Sequence, residues 1–354
     1  MKNLVVCFKD KPVEEYLIER IKCAWDQNST EKINIINTDQ SGVSQALFEA
    51  DYFCGHAKVP VDWNGIVAQN RLRWVQSSAA GMDWLLVPSV IASKITITTA
   101  AGVLADQVSE HGLALILAWI RNLPAFWADQ FCSIKNPDYR QFRRKPTRDL
   151  IGLTVGIVGF GGVGRRFSQL VAPFAKRIIA TDLFPTNKPS YVQELWNADQ
   201  LDELLALSDI VFLSLPLNES TRGIFNADKL GKMKKGTLLA NMARGPLVQT
   251  DALVDVLKSG HLAGAIMDVT SPEPLPPNHP LWDFENVLIT PHVGGQIRWR
   301  FEDICDIYCE NVRRFHSNEP LINRLSEEGK RLGFPIRDGK TPLWIDIKDN
   351  YSTR

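Results

Sequence analysis

The sequence has no excess of charge of either sign and no long basic tract. Lysine plus arginine and aspartate plus glutamate each number 40 among 354 residues, so the formal net charge is zero. Proteins that track a phosphate backbone need clustered positive charge. The composition therefore argues against nucleic acid as a primary partner.

Cysteines and long apolar runs are also scarce. The six cysteines form no CxxC pair and no His/Cys cluster at zinc-finger spacing. Cys305 and Cys309 would share a helix face, but buried free thiols explain their spacing better than a metal ion. The longest apolar run, Leu113 to Ile120, is far shorter than the roughly 20 residues that span a bilayer, and the N-terminal run is too short for a signal peptide. We expect no metal, no membrane segment and a cytoplasmic protein.

Short apolar runs typical of β-strands alternate with helical patterns along most of the chain, which indicates parallel sheets with crossover helices. The length exceeds that of one usual domain. The sequence therefore predicts an α/β protein with two doubly wound parallel-sheet domains. Predicted strands lie within 3–8, 33–38, 51–55, 72–83 and 95–102 in the first half, and within 154–158, 177–182, 209–216, 237–243, 262–269 and 286–292 in the second.

Four other stretches depart from this alternation. A helical pattern of about 20 residues starts near Gly102, and another helical stretch follows Gly295. Residues 124–150 lose periodicity and gather aromatic side chains, which could pack on a second subunit of a homodimer or, equally well, on their own domain. Residues 327–354 are mostly polar and have no assigned role.

The stretch GFGGVG, residues 159–164, follows one predicted strand and precedes a helical pattern. Gly159 permits a tight turn, Gly161 lets the backbone approach a pyrophosphate, and Gly164 lets helix and strand pack closely. Asp182 ends the next strand and would accept hydrogen bonds from a ribose, while repelling a 2'-phosphate. The pattern predicts a dinucleotide-binding loop, and a plain glycine-rich turn is the alternative. If the loop binds a dinucleotide, Asp182 favours NAD(H) over NADP(H).

Three strand ends in the second half carry unusual side chains. The strand in 237–243 leads to Arg244, and the following two lead to Glu273 and His292. The carboxyl ends of parallel strands meet at one sheet edge, so a cation, a carboxylate and an imidazole can converge there. Arg244 would bind a substrate carboxylate, His292 would exchange a proton with the substrate oxygen, and Glu273 would orient the imidazole. Taken alone, each residue is more often a surface charge or a loop residue, so the prediction rests on the three together.

These motifs together resemble the D-isomer-specific 2-hydroxyacid dehydrogenase family. The resemblance covers roughly residues 1–325 and rests on GLTVGIVGFGGVG, SLPLNESTRGIFN, NMARGPLV, GAIMDVTSPEPLP and LITPHVGG. It implies that Arg244, Glu273 and His292 are catalytic, and that Asp268 holds the nicotinamide amide. The NAD-binding residues that it implies are Gly159, Gly161, Gly162, Val163, Gly164, Asp182, Pro216, Thr221, Met242, Ala243, Asp268, His292 and Gly294.

The resemblance also implies a domain plan. A discontinuous, flavodoxin-like substrate domain would comprise residues 1–101 and 296–326, and a Rossmann NAD-binding domain would comprise 102–295, leaving 327–354 as a tail. The stretch SSAAGMD is similar to the family's substrate loop. There Ala80 and Gly81 would offer N–H groups to a carboxylate that Arg244 and His292 also contact, although a glycine turn that merely ends a strand is the alternative.

The roles of some polar residues near these motifs have more than one explanation. His56 and Lys58 could favour a substrate with a second anionic or polar group, or could simply face solvent. His111 has either a structural or a functional role. The chain departs from the family pattern at Pro246, which stiffens the turn after Arg244, and at Thr250, which could cap the next helix.

The expected function is NAD-dependent reduction of a small 2-keto acid, with glyoxylate or hydroxypyruvate as the leading substrate. A 3-phosphoglycerate dehydrogenase is the alternative within the enzyme class. Formate oxidation is disfavoured, because formate dehydrogenases of this fold place Gln where Glu273 stands. A non-catalytic NAD-sensing module like the family's corepressor relatives is the alternative outside the enzyme class.

Overall fold

The computed structural model describes residues 1–127, 147–297 and 300–347. The chain divides into two compact units, the first formed by Met1–Ala105 with Ile297–Arg354 and the second by Asp106–Gln296. Among the described residues, no helix combines the length and the apolar character needed to cross a membrane, and no cluster of His, Cys, Asp or Glu could hold a metal ion.

Helices and short strands alternate through both units. The strands are β1 (Lys2–Cys7), β2 (Ile33–Asn37), β3 (Tyr52–Gly55), β4 (Trp74–Ser77), β5 (Thr96–Thr98), β6 (Thr154–Val158), β7 (Arg177–Asp182), β8 (Glu194–Asn197), β9 (Ile210–Leu213), β10 (Leu238–Asn241), β11 (Gly264–Met267) and β12 (Val287–Ile289). The helices are α1 (Glu15–Asn28), α2 (Val43–Leu47), α3 (Trp63–Ala68), α4 (Pro88–Ile91), α5 (Ala105–Ile120), α6 (Gly162–Val171), α7 (Leu201–Leu207), α8 (Ala227–Lys232), α9 (Thr250–Lys258), α10 (Arg300–His316), α11 (Glu327–Leu332) and α12 (Trp344–Ile347).

The first unit is built on a five-stranded parallel sheet with the order β2-β1-β3-β4-β5, which is the flavodoxin-like order. Alternate residues of β1 enter different cores. Leu4 and Val6 join the core on one face, whereas Val5 and Cys7 join the core on the other. Both faces are thus covered, which explains why these strands are apolar almost throughout.

The chain beyond residue 326 belongs to the packing of this first unit. The N–H of Trp344 donates to Asn323 Oδ1 at 3.0 Å, and the Asn323 amide nitrogen donates to the carbonyls of Thr99 and Ala101 at 3.0 and 2.8 Å. Trp344 is only 4 % exposed. The tail, for which the sequence suggested no role, therefore covers part of the core as far as Ile347.

The second unit contains a seven-stranded parallel sheet with the order β12-β11-β10-β9-β6-β7-β8. The strand order reverses between β6 and β9, and this switch point is where ligands bind in open α/β sheets. The glycine stretch follows β6 and therefore lies at the switch point.

The fold class predicted from the sequence is confirmed, with two differences in detail. Strand β8 was not predicted, because Glu194–Asn197 is a short edge strand with polar residues at both ends. The long helix begins at Ala105 instead of near Gly102. Most of the predicted arm, including Phe131 and Phe142, lies outside the described residues.

Candidate active site

The glycine loop has the geometry that a dinucleotide needs. Gly159 has a φ of +90°, in the left-handed region, and an added methyl would meet the Leu215 backbone at 2.9 Å. A methyl on Gly164 would lie 2.2 Å from the carbonyl oxygen of Gly159, so helix α6 packs tightly on the loop. Gly161 has open space on its Cβ side. The first turn of α6, where Gly162 and Val163 lie, has N–H groups without intrahelical partners, which suits a pyrophosphate.

Asp182 lies at the end of β7 and is tied to this loop. Its Oδ2 accepts the N–H of Phe160 at 2.7 Å, and its Oδ1 accepts the N–H of Phe184 at 2.9 Å. A carboxylate oxygen can accept more than one hydrogen bond, so both oxygens can still receive a ribose hydroxyl. The fold thus presents Asp182 at the position where this class of sheet recognises the adenosine ribose.

A cation also lies near this end of β7. Arg165 donates to Thr186 Oγ1 at 3.1 Å and to the Asn187 carbonyl at 2.8 Å, and its guanidinium lies 4.7 Å from the ring centre of Phe160. The residues directly after Asp182 supply no cation, but the loop they begin contacts Arg165, which comes from the start of α6. Sequence order alone did not suggest this neighbour.

The other residues predicted to line the NAD site occupy two turns of the same unit. Thr221 Oγ1 donates to the Pro216 carbonyl at 2.8 Å and thereby closes the turn after β9. Met242 and Ala243 are buried directly after β10. The buried Asn241 holds this second turn, since its Oδ1 accepts the N–H of Ala243 at 3.0 Å and its Nδ2 donates to the Arg244 carbonyl at 2.9 Å.

His292 and Glu273 form a hydrogen-bonded pair. The ring nitrogen Nδ1 of His292 lies 2.7 Å from Glu273 Oε1, and Glu273 Oε2 accepts the N–H of Thr270 at 3.3 Å. The two side chains are 47 % and 42 % exposed. Nε2 of His292 makes no hydrogen bond within the described parts of the chain, so the imidazole is oriented at one nitrogen and open at the other.

Asp268 holds the loop that carries His292. Its backbone carbonyl accepts the N–H of His292 at 2.7 Å, while Oδ1 accepts the N–H of Val293 at 3.0 Å and Oδ2 that of Gly294 at 2.9 Å. These bonds hold His292 at a φ of +55°, which is unusual for a residue with a side chain. The prediction that Asp268 holds a nicotinamide amide stays a prediction; this carboxylate also has a positioning role that the sequence did not reveal.

His111 is part of the same network. Its Nε2 lies 3.1 Å from Thr290 Oγ1 and 3.4 Å from Asp268 Oδ1, and Thr290 Oγ1 itself donates to Asp268 Oδ1 at 2.6 Å. His111 therefore contacts Thr290 and Asp268, the residues that hold the His292 loop, and has a structural role in this network.

The turn that carries Arg244 lies against the loop that carries Glu273, and the contact is made at Gly245. A methyl on Gly245 would lie 1.8 Å from the carbonyl oxygen of Thr270, so only glycine lets the turn after β10 lie against the loop that carries Glu273. The hydroxyl of Thr250 does not cap α9. It donates instead to the Ser271 carbonyl at 2.7 Å and so fixes the same loop.

The predicted substrate loop lies in the first unit, at the carboxyl end of β4. Ala80 is exposed and Gly81 is partly exposed. The backbone N–H groups of both residues have no acceptor among the described residues. Lys58 is 55 % exposed and lies 3.9 Å from Asp10, whereas His56 is partly buried and lies against Ser78.

The doubly wound sheet, the glycine loop at its switch point and the carboxylate at the end of β7 define a dehydrogenase that binds a nicotinamide dinucleotide. Comparisons with known proteins narrow this class. The model of the D-isomer specific 2-hydroxyacid dehydrogenase NAD-binding domain matches residues 113–294. The chain belongs to this family, whose members are oxidoreductases that act on the CH–OH group of 2-hydroxyacids and bind NAD(P).

Individual relatives agree with the family. The chain is 36 % identical over 238 residues to the glyoxylate reductase of Thermofilum pendens, covering 66 % of this chain and 69 % of that protein. It is 32 % identical over 310 residues to the D-3-phosphoglycerate dehydrogenase of Mycobacterium tuberculosis, covering 87 % of this chain and 56 % of that protein. A family member from Xanthobacter autotrophicus, solved with NADPH and MES, has a TM-score of 0.74 at 25 % identity and covers 93 % of this chain and 100 % of that one.

Proposed function

We propose that this protein is an NADH-dependent reductase of small 2-keto acids, in which Arg244, Glu273 and His292 act on the substrate. The observation that carries the proposal is the hydrogen-bonded pair of His292 and Glu273, in which Nδ1 is held at 2.7 Å while Nε2 is open. An imidazole arranged in this way can exchange a proton at a defined position. A binding role would tolerate the loss of this pair, so its presence favours the enzyme over the corepressor-like alternative.

The chemistry of this chain's residues follows from their arrangement. NADH, when bound, supplies the hydride to the keto carbon. His292 donates a proton from Nε2 to the substrate oxygen as negative charge develops there, and Glu273 stabilises the imidazolium form that holds this proton. Arg244 binds the substrate carboxylate through charge-assisted hydrogen bonds. Within the first unit, the N–H groups of Ala80 and Gly81 have no acceptor among the described residues and can donate to a carboxylate. In the oxidative direction His292 takes up the proton instead.

NADH is the proposed cofactor because of Asp182. Its carboxylate would repel a 2'-phosphate and can accept the hydroxyls of an unmodified ribose. Activity with NADH should be compared with activity with NADPH for two reasons. The relative from Xanthobacter autotrophicus was solved with NADPH, and Arg165 lies near the end of β7. A homodimer and a cytoplasmic location also stay proposals.

The test is the oxidation of NADH, followed at 340 nm, with glyoxylate, hydroxypyruvate, pyruvate, 2-ketoglutarate and phosphohydroxypyruvate, and with NADPH in parallel. The panel includes glyoxylate because of the glyoxylate reductase relative and phosphohydroxypyruvate because of the D-3-phosphoglycerate dehydrogenase relative. We expect turnover of at least one compound with NADH. Tight NADH binding without any turnover would instead support the binding module.

A further inference from the structure

Arg300, the first residue of α10, lies in the first unit and has few partners for a charged side chain. Its Nη2 donates to the carbonyl oxygen of Ser78 at 3.4 Å, a long hydrogen bond. Its Nε is buried and has no hydrogen-bond partner among the described residues. Within the ranges that the structure describes, no carboxylate forms an ion pair with it. Burial lowers the pKa of this guanidinium, and no charge from the described residues compensates for the lost hydration.

A partly buried cation without a counter-charge is costly, because its hydration is lost and nothing replaces it. The first acidic residue of the same helix, Glu302, accepts the hydroxyl of Tyr16 at 2.5 Å and makes no ion pair with Arg300. Several other arginines of the same unit are paired; for example, Arg313 binds Glu310 and Glu319, and Arg337 binds Asp346. An anionic ligand would offset the cost at Arg300.

A second donor lies beside the guanidinium. His56 Nδ1 is 2.7 Å from Ser78 Oγ. Burial, together with the positive charges of Arg300 and Lys58, lowers the pKa of His56 to about 4, so the ring is neutral at physiological pH. A neutral imidazole and a hydroxyl have two polar hydrogens between them, and their mutual hydrogen bond uses one. Whichever tautomer is present, one N–H or O–H remains to donate to a ligand.

The position of this cluster links it to the substrate. Ser78 follows β4 directly and begins the loop that continues to Ala80 and Gly81, whose N–H groups lack acceptors among the described residues. Two residues of extended chain span at most about 7 Å. One short molecule can therefore contact both the loop N–H groups and the Arg300 cluster without leaving the first unit.

We propose that Arg300, with the His56–Ser78 pair, binds a second anionic group at the distal end of the 2-keto acid, either a carboxylate or a phosphate ester. This inference rests on the proposed reduction of 2-keto acids and narrows its substrate class. It differs from the earlier expectation for His56 and Lys58, because His56 acts as a neutral donor and the charge comes from Arg300, which is remote from His56 in the chain.

The test compares matched substrates in NADH-dependent turnover by the full-length protein. Phosphohydroxypyruvate against hydroxypyruvate tests a distal phosphate, and 2-ketoglutarate against 2-ketohexanoate tests a distal carboxylate. We expect the wild type to prefer the anionic member of one pair, and the pair concerned tells the two groups apart. Arg300→Met should raise KM and lower kcat/KM for that substrate by about 10- to 100-fold, with a change below about 3-fold for its neutral partner.

Two further variants complete the design. Arg300→Lys should keep part of the kcat/KM that Arg300→Met loses with the anionic substrate, because lysine keeps the positive charge but not the planar guanidinium. Arg331→Met, which removes an exposed arginine from α11, is the matched control and should change neither substrate. A purely structural role for Arg300 would lower kcat/KM equally for both members of each pair, and that result, or a wild-type preference for the neutral members, would overturn the proposal.

Binding measurements separate this proposal from that of the reaction itself. If no compound is turned over, isothermal titration calorimetry with inorganic phosphate and with glutarate still reports on the anion site. Binding that is lost in Arg300→Met and kept in Arg331→Met supports the site even when the reductase proposal fails. Equal binding by all three proteins, or none by any, contradicts it. The melting temperature of Arg300→Met should not fall, because this variant relieves an unpaired charge.

Discussion

Nδ1 of His292 lies 2.7 Å from Oε1 of Glu273, although the two residues are 19 positions apart in the chain. The contact depends on the backbone of both loops. Asp268 holds the His292 loop through its carboxylate and its carbonyl, and Thr250 holds the Glu273 loop through the Ser271 carbonyl. The pair is thus oriented by hydrogen bonds from residues that never need to touch a substrate.

His292→Asn should reduce kcat by at least about 100-fold, the usual contribution of a general acid, while the Kd for NADH changes by less than about 3-fold. Glu273→Gln should lower kcat by a similar order, and the double variant should be no slower than His292→Asn alone, because the two side chains act as a unit. Stopped-flow fluorescence gives the Kd and steady-state assays give kcat. Multiplicative losses in the double variant would show that the two side chains act independently.

Gly245→Ala should separate the Arg244 turn from the Glu273 loop, because the added methyl would meet the Thr270 carbonyl at 1.8 Å. We expect a loss of about 1 to 3 kcal/mol in the free energy of unfolding, as for other overpacked sites, together with a raised KM. Gly231→Ala is the matched control, since Gly231 lies in α8 with open space on its Cβ side. Urea unfolding and substrate kinetics on both variants check this. Equal behaviour of the two would mean that the loops tolerate the methyl.

Asp182→Ser should relax the choice of cofactor by at least about 10-fold in the ratio of kcat/KM for NADH and NADPH, since it removes a charge that repels the 2'-phosphate. Arg165 directly follows the glycine stretch in the chain, and it already contacts Thr186 and Asn187. If it receives the phosphate, the Asp182→Ser/Arg165→Met double variant should lose the gain with NADPH. An unchanged ratio in Asp182→Ser would place the ribose elsewhere.

The neutral, partly buried His56 should make the protein less stable in acid. Its pKa is about 4 in the folded protein and about 6.5 when unfolded, so the unfolded state binds more protons between these values. The free energy of unfolding should therefore fall as the pH is lowered from 7 to 5, by about 1 to 2 kcal/mol from this residue. His56→Asn should flatten the dependence by that amount in urea unfolding at the two pH values. The same slope in both proteins would contradict the lowered pKa.

Arg300→Met provides an independent check of the same site. The Arg300 charge is, after burial, the largest cause of the lowered pKa of His56. The variant should therefore raise that pKa, which an NMR titration of the imidazole signal measures directly. No change would show that the guanidinium and the imidazole do not interact in solution.

The sequence by itself determined the parallel-sheet architecture, and it predicted where along the chain the candidate site residues lie. Runs such as Ile210–Leu213 are apolar throughout because both sheet faces are covered, and this pattern is local. The glycines of residues 159–164 and the residues after β10, β11 and β12 could be predicted as site candidates, because parallel strands present their carboxyl ends at one edge of the sheet. Strand β8 escaped prediction because a short edge strand lacks this apolar pattern.

Only the tertiary structure decided which side chains support the site. The contact of Gly245 with Thr270, the engagement of Asp268 with three backbone N–H groups of its own unit, and the approach of Arg300 to Ser78 join residues that are distant in the chain. The packing of Trp344 into the first unit is of the same kind. Local sequence patterns report which face of an element is buried, whereas these contacts depend on how separate elements pack together, and that is set by the whole fold.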